Sequence, residues 1–290
     1  VFAPHLKRLV ELRIESAELL GFDEHPYDAL LDEYEPWATT GFVTEVFDDL
    51  RDSLVPLVKE IASTKQGKNP LDGRRFARAG QEAFGRFVLD HMGYEFSRGR
   101  LDVSAHPFTD KLGRDDVRVT TRYNEELLNS SIFGTIHEGG HALYELGFPK
   151  SIKDTILGEG ASMGIHESQS RLWENFIGRS LPFWRYFYPH LQRQFPEELA
   201  DVSLDEYYRA VNRVEPTFIR VEADEVTYSL HIILRFNLEK KLVTGELEVE
   251  ALPDAWREES KSLLGIAPKK DADGVLQDIH WSLGALGYFP

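Results

Sequence analysis

Apolar residues recur every three to five positions along most of this 290-residue chain, as they do on amphipathic helices. Leu6, Val10, Ile14 and Leu19 show this spacing in the opening segment. The pattern predicts a mainly α protein with helices over about 3–20, 40–64, 73–92, 129–147, 155–180, 183–194, 203–213, 219–244 and 253–264.

Two stretches interrupt the helical pattern. Residues 21–41 contain two prolines and are predicted to form a loop. The segments RLDVSAHPF and DDVRVTTRY are rich in β-favouring residues, and KLGRD between them is typical of a turn. A small hairpin or sheet edge is therefore predicted just before the helix over 129–147. We see no repeat or linker, so one domain over residues 1–290 is expected.

Composition narrows the classes of partner and chemistry. The chain has 33 basic and 49 acidic residues, a net charge of −16, which argues against binding nucleic acid or an anionic membrane. It has no cysteine, which excludes disulfides, thiol catalysis and iron–sulfur ligation. We see no apolar run long enough for a membrane helix and no secretory signal, so a cytoplasmic protein is expected.

The motif HEGGH lies in the predicted helix over 129–147. Its His137 and His141 are one turn apart on one helix face, which suits two ligands of one tetrahedral zinc. Glu138 projects from the helix in a different direction from the two histidines. Its carboxylate can therefore reach a zinc-bound water instead of the metal. Gly139 and Gly140 each cost about 1 kcal/mol relative to alanine in a helix, which indicates close approach by backbone or substrate.

A catalytic zinc site needs a third protein ligand and one open position. Glu167 follows His141 by 26 residues, at the spacing of the gluzincin peptidases, and is the favoured third ligand. His166 is a competing candidate, or else a histidine that hydrogen-bonds beside the site. Glu159 and Glu174 are interpreted as solvated or helix-capping residues.

Six short motifs occur in one order along the chain: HPF (106–108), DVRVT (116–120), HEGGH (137–141), HESQS (166–170), IRVEAD (219–224) and GVLQDIHW (274–281). Together they resemble the carboxypeptidase Taq family of metal-dependent carboxypeptidases. The resemblance covers the whole chain and implies a neurolysin-like gluzincin metallopeptidase fold, mainly α, usually as a homodimer. It also implies zinc-dependent removal of single C-terminal residues from peptides with broad specificity, with cobalt tolerated in place of zinc.

The resemblance assigns the chemistry residue by residue. His137, His141 and Glu167 would bind the metal, and Glu138 would act as general base and then as general acid. For His106 in the HPF motif there are two interpretations. A turn or packing histidine is at least as good an interpretation as a catalytic one.

Two further motifs supply residues that would face the substrate. Arg220 in IRVEAD and His280 in QDIHW would hold the substrate or the oxyanion that forms during the reaction. Arg118 in DVRVT would lie at the substrate entrance. Tyr228 and Tyr288 are alternative oxyanion donors.

Arg220 also has a plain structural interpretation. It lies on a predicted amphipathic helix, where it could simply pair with Glu222 or Asp224. The functional interpretation rests on chemistry, because a buried guanidinium matches the free carboxylate that an exopeptidase must recognise. Asp224 or Glu225 could instead orient a ligand imidazole.

Members of the resembled family are longer than this chain. We therefore expect a piece of a catalytic domain that is incomplete at both ends. The alternatives to a carboxypeptidase are an oligopeptidase or dipeptidase of related fold, and a truncated peptide-binding remnant without catalysis.

Overall fold

The computed structural model describes residues 1–289 and divides the chain into two compact units. One unit is continuous, Gln66–Arg213, and the other consists of Val1–Lys65 and Val214–Pro290. Each unit has its own hydrophobic core. A single catalytic domain over residues 1–290 stays a prediction.

Helices dominate the described residues. The α-helices are α1 Ala3–Leu20, α2 Pro26–Leu31, α3 Thr40–Ser63, α4 Arg78–Met92, α5 Leu128–Leu146, α6 Met163–Arg171, α7 Leu181–Gln194, α8 Leu204–Val211, α9 Tyr228–Thr244 and α10 Leu252–Leu264. The strands are β1 Leu101–Val103, β2 Thr109–Gly113 and β3 Asp116–Thr121. The predicted mainly α fold, with a small β element before the HEGGH helix, is confirmed. Within residues 1–289, no helix is both long and apolar enough to cross a bilayer.

Most predicted helices lie within a few residues of their observed bounds. The helix predicted over 73–92 begins late, at Arg78, because the Phe76 N–H pairs with the carbonyl of Glu125 at 2.7 Å. The predicted loop over 21–41 contains α2. Pro26 occupies its first turn, where a missing N–H costs nothing, and its six residues are too few to show a periodic pattern.

The single helix predicted over 219–244 is wrong at its start. Arg220–Glu222 form a separate 3-10 turn, and α9 begins only at Tyr228. Asp224 explains the break, because its Oδ1 accepts hydrogen bonds from the backbone N–H groups two and three residues further on, at 2.9 and 3.0 Å. Such local side-chain bonds compete with the helix ladder and favour a helix start.

The single helix predicted over 155–180 is also wrong. It is divided into a 3-10 turn at Ile156–Gly158, helix α6 and a π-helical segment at Leu172–Gly178. Helix α6 begins after Ser162, whose hydroxyl accepts from the Ile165 N–H at 3.1 Å. π-Helical turns are rare and occur frequently at functional sites.

The β element has one strand more than the predicted hairpin. The predicted hairpin between 100–108 and 115–123 is wrong, because β1, which lies in the first of these segments, pairs with β3 in parallel. The antiparallel partner of β3 is β2, which includes residues 111–113 of the predicted turn KLGRD, so the strand order is β1-β3-β2. The sheet lies against α5, where the Thr135 hydroxyl donates to the hydroxyl of Thr121 on β3 at 3.0 Å. This contact places β2 and β3 beside the helix that carries HEGGH.

The two glycines of HEGGH allow neighbouring helices to approach α5. A Cβ at Gly139 would lie 2.6 Å from Leu89 Cδ2 of α4. A Cβ at Gly140 would lie 2.7 Å from the Cα of Ser170 on α6. The close approach expected from the sequence is therefore made by α6 backbone, and it brings the HESQS segment to the HEGGH helix.

In the other unit, α9 is buried on most of its surface. Its core positions are apolar, but His231, Arg235 and Glu239 are buried too, with 3, 0 and 0% of their surface exposed. Because they are spaced by four residues, they form one polar stripe along the helix. Two of the buried charged residues of this unit, Arg235 and Glu239, therefore lie on this polar stripe.

Candidate active site

Three side chains converge where α5 meets α6. His137 Nε2 lies 3.6 Å, and His141 Nε2 lies 3.2 Å, from Glu167 Oε2. The potential ligand atoms of the three residues all lie within 4.8 Å of one another. Their side chains remain 14 to 17% exposed, so the group is reachable from solvent.

The second nitrogen of each imidazole has a partner of its own. His137 Nδ1 lies 2.9 Å from Glu174 Oε2. His141 Nδ1 lies 2.6 Å from His166 Nδ1, and His166 Nε2 lies 2.9 Å from a carboxylate oxygen of Glu145. Both ring nitrogens of His166 are therefore engaged, and Glu167 is the residue that faces the two Nε2 atoms.

Arg171 holds the two carboxylates on this side of the site. Its guanidinium donates to Glu167 Oε1 and to Glu174 Oε2, both at 2.9 Å. Burial opposes ionisation of Glu174, but Arg171 and His137 outweigh it and lower its pKa to about 2. Burial is likewise outweighed at Glu167, chiefly by His137 and His141, so its pKa lies well below the usual value. Both side chains are carboxylates at neutral pH.

Glu138 lies beside this group on α5 and is only 6% exposed. The hydroxyl of Thr109 on β2 lies 2.7 Å from Glu138 Oε2 and 2.9 Å from the Glu138 carbonyl. Thr109 therefore ties the sheet to the carboxylate that follows the first histidine. Thr109 cannot be predicted as a neighbour of Glu138 from the sequence, because only the position of β2 against α5 brings the two residues together.

The interpretation of Glu174 as a solvated or capping residue is wrong. Glu174 is 8% exposed and lies in the π-helical segment, against His137. Arg171 was not singled out at all. A local signal did exist, because Glu167, Arg171 and Glu174 follow the i, i+4, i+7 spacing of one helix face.

Arg118 lies on β3, in the same unit as the metal-ligand group. It makes a two-bond pair with Asp116, from Nε at 2.9 Å and Nη2 at 2.8 Å, and its side chain is 42% exposed. His106 is exposed, and its Nδ1 lies 2.8 Å from the Pro107 carbonyl. This contact agrees with the interpretation of His106 as a turn histidine.

Arg220 and His280 belong to the other unit, where Asp278 connects them. Arg220 is 7% exposed, and its Nε lies 3.4 Å from Asp278 Oδ2. Its Nη1 donates to the hydroxyl of Tyr228 at 2.8 Å. Asp278 was not considered as a partner of Arg220 in the sequence analysis, because only the fold brings the two residues together.

His280 is held by the polar stripe of α9. Its Nδ1 contacts Asp278 Oδ1 and lies 2.8 Å from Arg235 Nη1, while its ring stacks on Tyr288 with centroids 4.9 Å apart. Burial lowers the pKa of His280 to about 4, although Asp278 opposes the shift. The ring is therefore neutral at pH 7. Arg235 also donates to the backbone carbonyl of Tyr288.

The donor set of the first group fits a zinc ion. Two imidazoles and one carboxylate are a known ligand set of catalytic zinc sites. Each imidazole also has its Nδ1 occupied, which directs Nε2 towards Glu167, as the usual partners of zinc-binding histidines do.

HEXXH on a helix with a third carboxylate on a following helix defines a metallopeptidase type of site. The family described as carboxypeptidase Taq (M32) metallopeptidase matches the chain over residues 1–290. The chain belongs to this family, so the resemblance in its motifs is confirmed.

Individual relatives agree with the family match. Carboxypeptidase 1 of Bacillus subtilis is 46% identical over 291 residues, which cover 100% of this chain and 58% of that protein. Thermostable carboxypeptidase 1 of Thermus thermophilus is 48% identical over 300 residues, with coverage of 100% and 58%. The crystal structure of the M32 carboxypeptidase from Deinococcus radiodurans has a TM-score of 0.94 at 43% identity, covering 99% of this chain and 58% of that chain. The chain thus spans 58% of the length of these relatives.

Proposed function

We propose that the full-length protein is a zinc-dependent carboxypeptidase that removes single residues from the C termini of peptides. The observation that carries this proposal is the convergence of His137, His141 and Glu167 beside a buried glutamate. The relatives named above are carboxypeptidases, which supports the same reaction. The broad specificity and the gluzincin type of fold are part of this proposal.

His137 and His141, through Nε2, and Glu167, through a carboxylate oxygen, would hold the ion. When bound there, zinc would supply Lewis-acid polarisation of the scissile carbonyl and lower the pKa of water. Glu138 would accept the proton of the attacking water and donate it to the departing amine. Thr109 holds one Glu138 oxygen at 2.7 Å and would keep the carboxylate oriented for both steps.

Arg220 and His280 would bind the substrate or the oxyanion. A nearly buried guanidinium suits a free peptide carboxylate, which is what separates an exopeptidase from an endopeptidase. Arg235 Nη1 lies 2.8 Å from His280 Nδ1, and where Arg235 donates to Nδ1 the proton of the neutral ring is on Nε2, the nitrogen that would donate to the oxyanion. Arg118, exposed on β3, would contribute at the substrate entrance.

Further properties of the full-length protein belong to the same proposal. Cobalt would substitute for zinc, because it accepts the same nitrogen and oxygen donors. A net charge of −16 supports peptides over nucleic acid or anionic membranes as partners. A cytoplasmic homodimer is the expected setting.

The deciding experiment compares one peptide with a free C terminus and the same peptide with an amidated C terminus. We expect stepwise release of single C-terminal residues from the free peptide only, with loss of activity in chelator and recovery with zinc. Internal cleavage of both peptides would make the protein an oligopeptidase. No cleavage of either peptide by the zinc-loaded protein would favour a peptide-binding remnant.

A further inference from the structure

The two histidines of the metal-ligand group are held in different ways. His137 Nδ1 lies directly against the carboxylate of Glu174, at 2.9 Å. His141 Nδ1 lies 2.6 Å from a second imidazole, that of His166. A carboxylate, that of Glu145, is reached only through the other nitrogen of His166, at 2.9 Å.

The positions of the protons along this chain of contacts follow from the carboxylate of Glu145 at its end. Glu145 lies with its second oxygen 3.0 Å from Lys111 Nζ, and an ionised carboxylate can only accept hydrogen bonds. A neutral His166 ring that donates from Nε2 to this carboxylate accepts at Nδ1. His141 must then donate from Nδ1, and the lone pair of its Nε2 faces Glu167.

The ring of His166 is fixed by packing as well as by hydrogen bonds. The ring of Tyr144 stands nearly perpendicular to it, at 88° and 5.2 Å between centroids. A Cβ at Gly160 would lie 3.0 Å from His166 Cδ2 and 3.4 Å from Tyr144 Cε1. The glycine therefore leaves the space that the imidazole occupies, and the ring is held with both nitrogens in use.

We infer that His166 is a positioning residue of the metal centre, which fixes the tautomer and the ring orientation in which His141 offers Nε2 to the ion. Glu145 and Lys111 hold His166 in turn. The inference rests on the zinc site proposed above. It assigns to His166 the task that Glu174 performs for His137, with an imidazole inserted between the ligand and the carboxylate.

The test is zinc affinity, measured by competition with a chromogenic chelator on the full-length protein. His166→Phe keeps a planar ring but removes the acceptor, whereas His166→Asn keeps an oxygen near the place of Nδ1. We expect His166→Phe to weaken zinc binding by about 10- to 100-fold and His166→Asn to weaken it much less. His91→Phe, at an exposed histidine of α4, is the matched control and should leave the affinity unchanged.

The outcomes separate this inference from the proposed function. Equal zinc affinity in wild type and His166→Phe would overturn the inference and leave the zinc site intact. Complete loss of zinc from both His166 variants would also overturn it, because His166 would then be a ligand. No zinc binding by the wild type would overturn the proposed function, and the inference with it.

A measurement on the wild type decides the case if the variants do not fold. Nitrogen-15 NMR of the histidine rings in the zinc-loaded protein reports which nitrogen carries the proton. We expect the proton on Nδ1 of His141 and on Nε2 of His166. The opposite tautomer at either ring would overturn the inference.

Discussion

The chain contains two clusters of charged and imidazole side chains, and they differ in how their charge is balanced. In the Gln66–Arg213 unit, three carboxylates, of Glu138, Glu167 and Glu174, lie near two guanidinium groups, of Arg171 and Arg179. In the other unit, the guanidinium groups of Arg220 and Arg235 are matched by the carboxylates of Asp278 and Glu239. The first cluster has a surplus of negative charge that a cation would complete, and the second needs none.

The two clusters also differ in how much of their side-chain surface is exposed to solvent. The side chains of Arg235 and Glu239 are 1 and 0% exposed, and Glu239 is saturated by the Tyr27 hydroxyl at 2.7 Å and the Trp281 indole N–H at 2.9 Å. The proposed zinc ligands keep about a sixth of their side-chain surface open. The closed pair of Arg235 and Glu239 is suited to holding structure, whereas the open cluster with excess negative charge is suited to binding an ion.

The largest expected effect is a loss of stability in a variant that breaks the closed cluster. Arg235→Met should lower the free energy of unfolding by about 3–5 kcal/mol, because it leaves Glu239 buried without its cation and Asp278 with Arg220 alone. Urea unfolding of wild type and variant measures the difference. Arg8→Met, which breaks an exposed pair with Glu11 in the same unit, should cost less than about 1 kcal/mol. Equal losses of unfolding free energy in the two variants would show that the buried cluster stabilises the protein no more than an exposed ion pair does.

The next effect concerns chemistry in the open cluster. Glu138→Gln removes the proton acceptor without removing a proposed ligand, so zinc content should stay near one per chain while kcat falls by at least about 100-fold. Elemental analysis and peptide hydrolysis give the two values. Glu159→Gln, at an exposed carboxylate of the same unit, is the control and should retain turnover. Near-normal turnover of Glu138→Gln would contradict the proposed base.

The HEGGH residues of the open cluster could be predicted from the sequence, whereas the pairing of charges within the closed cluster could not. His137, Glu138 and His141 are placed relative to one another by helix geometry alone, so their spacing reveals the site without any knowledge of the fold. Arg235 and Asp278 are 43 positions apart, and only the packing of the last segment against α9 brings them together. No local periodicity encodes such a pair.

The same reason explains other failures of prediction. The break before α9 depends on hydrogen bonds of one aspartate, Asp224, within a segment whose apolar spacing is still helical. Thr109 reaches Glu138 only because β2 packs beside α5. Sequence spacing therefore recovers residues that act within one helix, and it misses partners that two elements bring together.

A smaller effect is expected from a variant of Thr109, which links the sheet to Glu138 on α5. Thr109→Val removes the hydroxyl that holds the Glu138 carboxylate but keeps the shape of the side chain. A hydrogen bond to a charged group contributes about 1.5–3 kcal/mol, so kcat should fall by roughly 10- to 100-fold with zinc content unchanged. Thr109→Ser should restore most of the activity. An unchanged kcat in Thr109→Val would mean that Glu138 needs no such support.

The most gradual effect is a dependence of stability on pH that comes from one histidine of the closed cluster's unit. His231 of the polar stripe is 3% exposed, and burial together with Arg220 lowers its pKa to about 4, against a usual 6.5. As pH falls from about 6.5 to 4, the unfolded chain takes up a proton that the folded chain refuses. Stability should therefore be lost through this window at up to about 1.4 kcal/mol per pH unit for this histidine, and level off below it. Urea unfolding across the window should show a shallower slope for His231→Gln, while His5→Gln, at an exposed histidine, should keep the wild-type slope. Identical slopes in all three proteins would show that His231 is protonated in the folded state and does not contribute to the pH dependence.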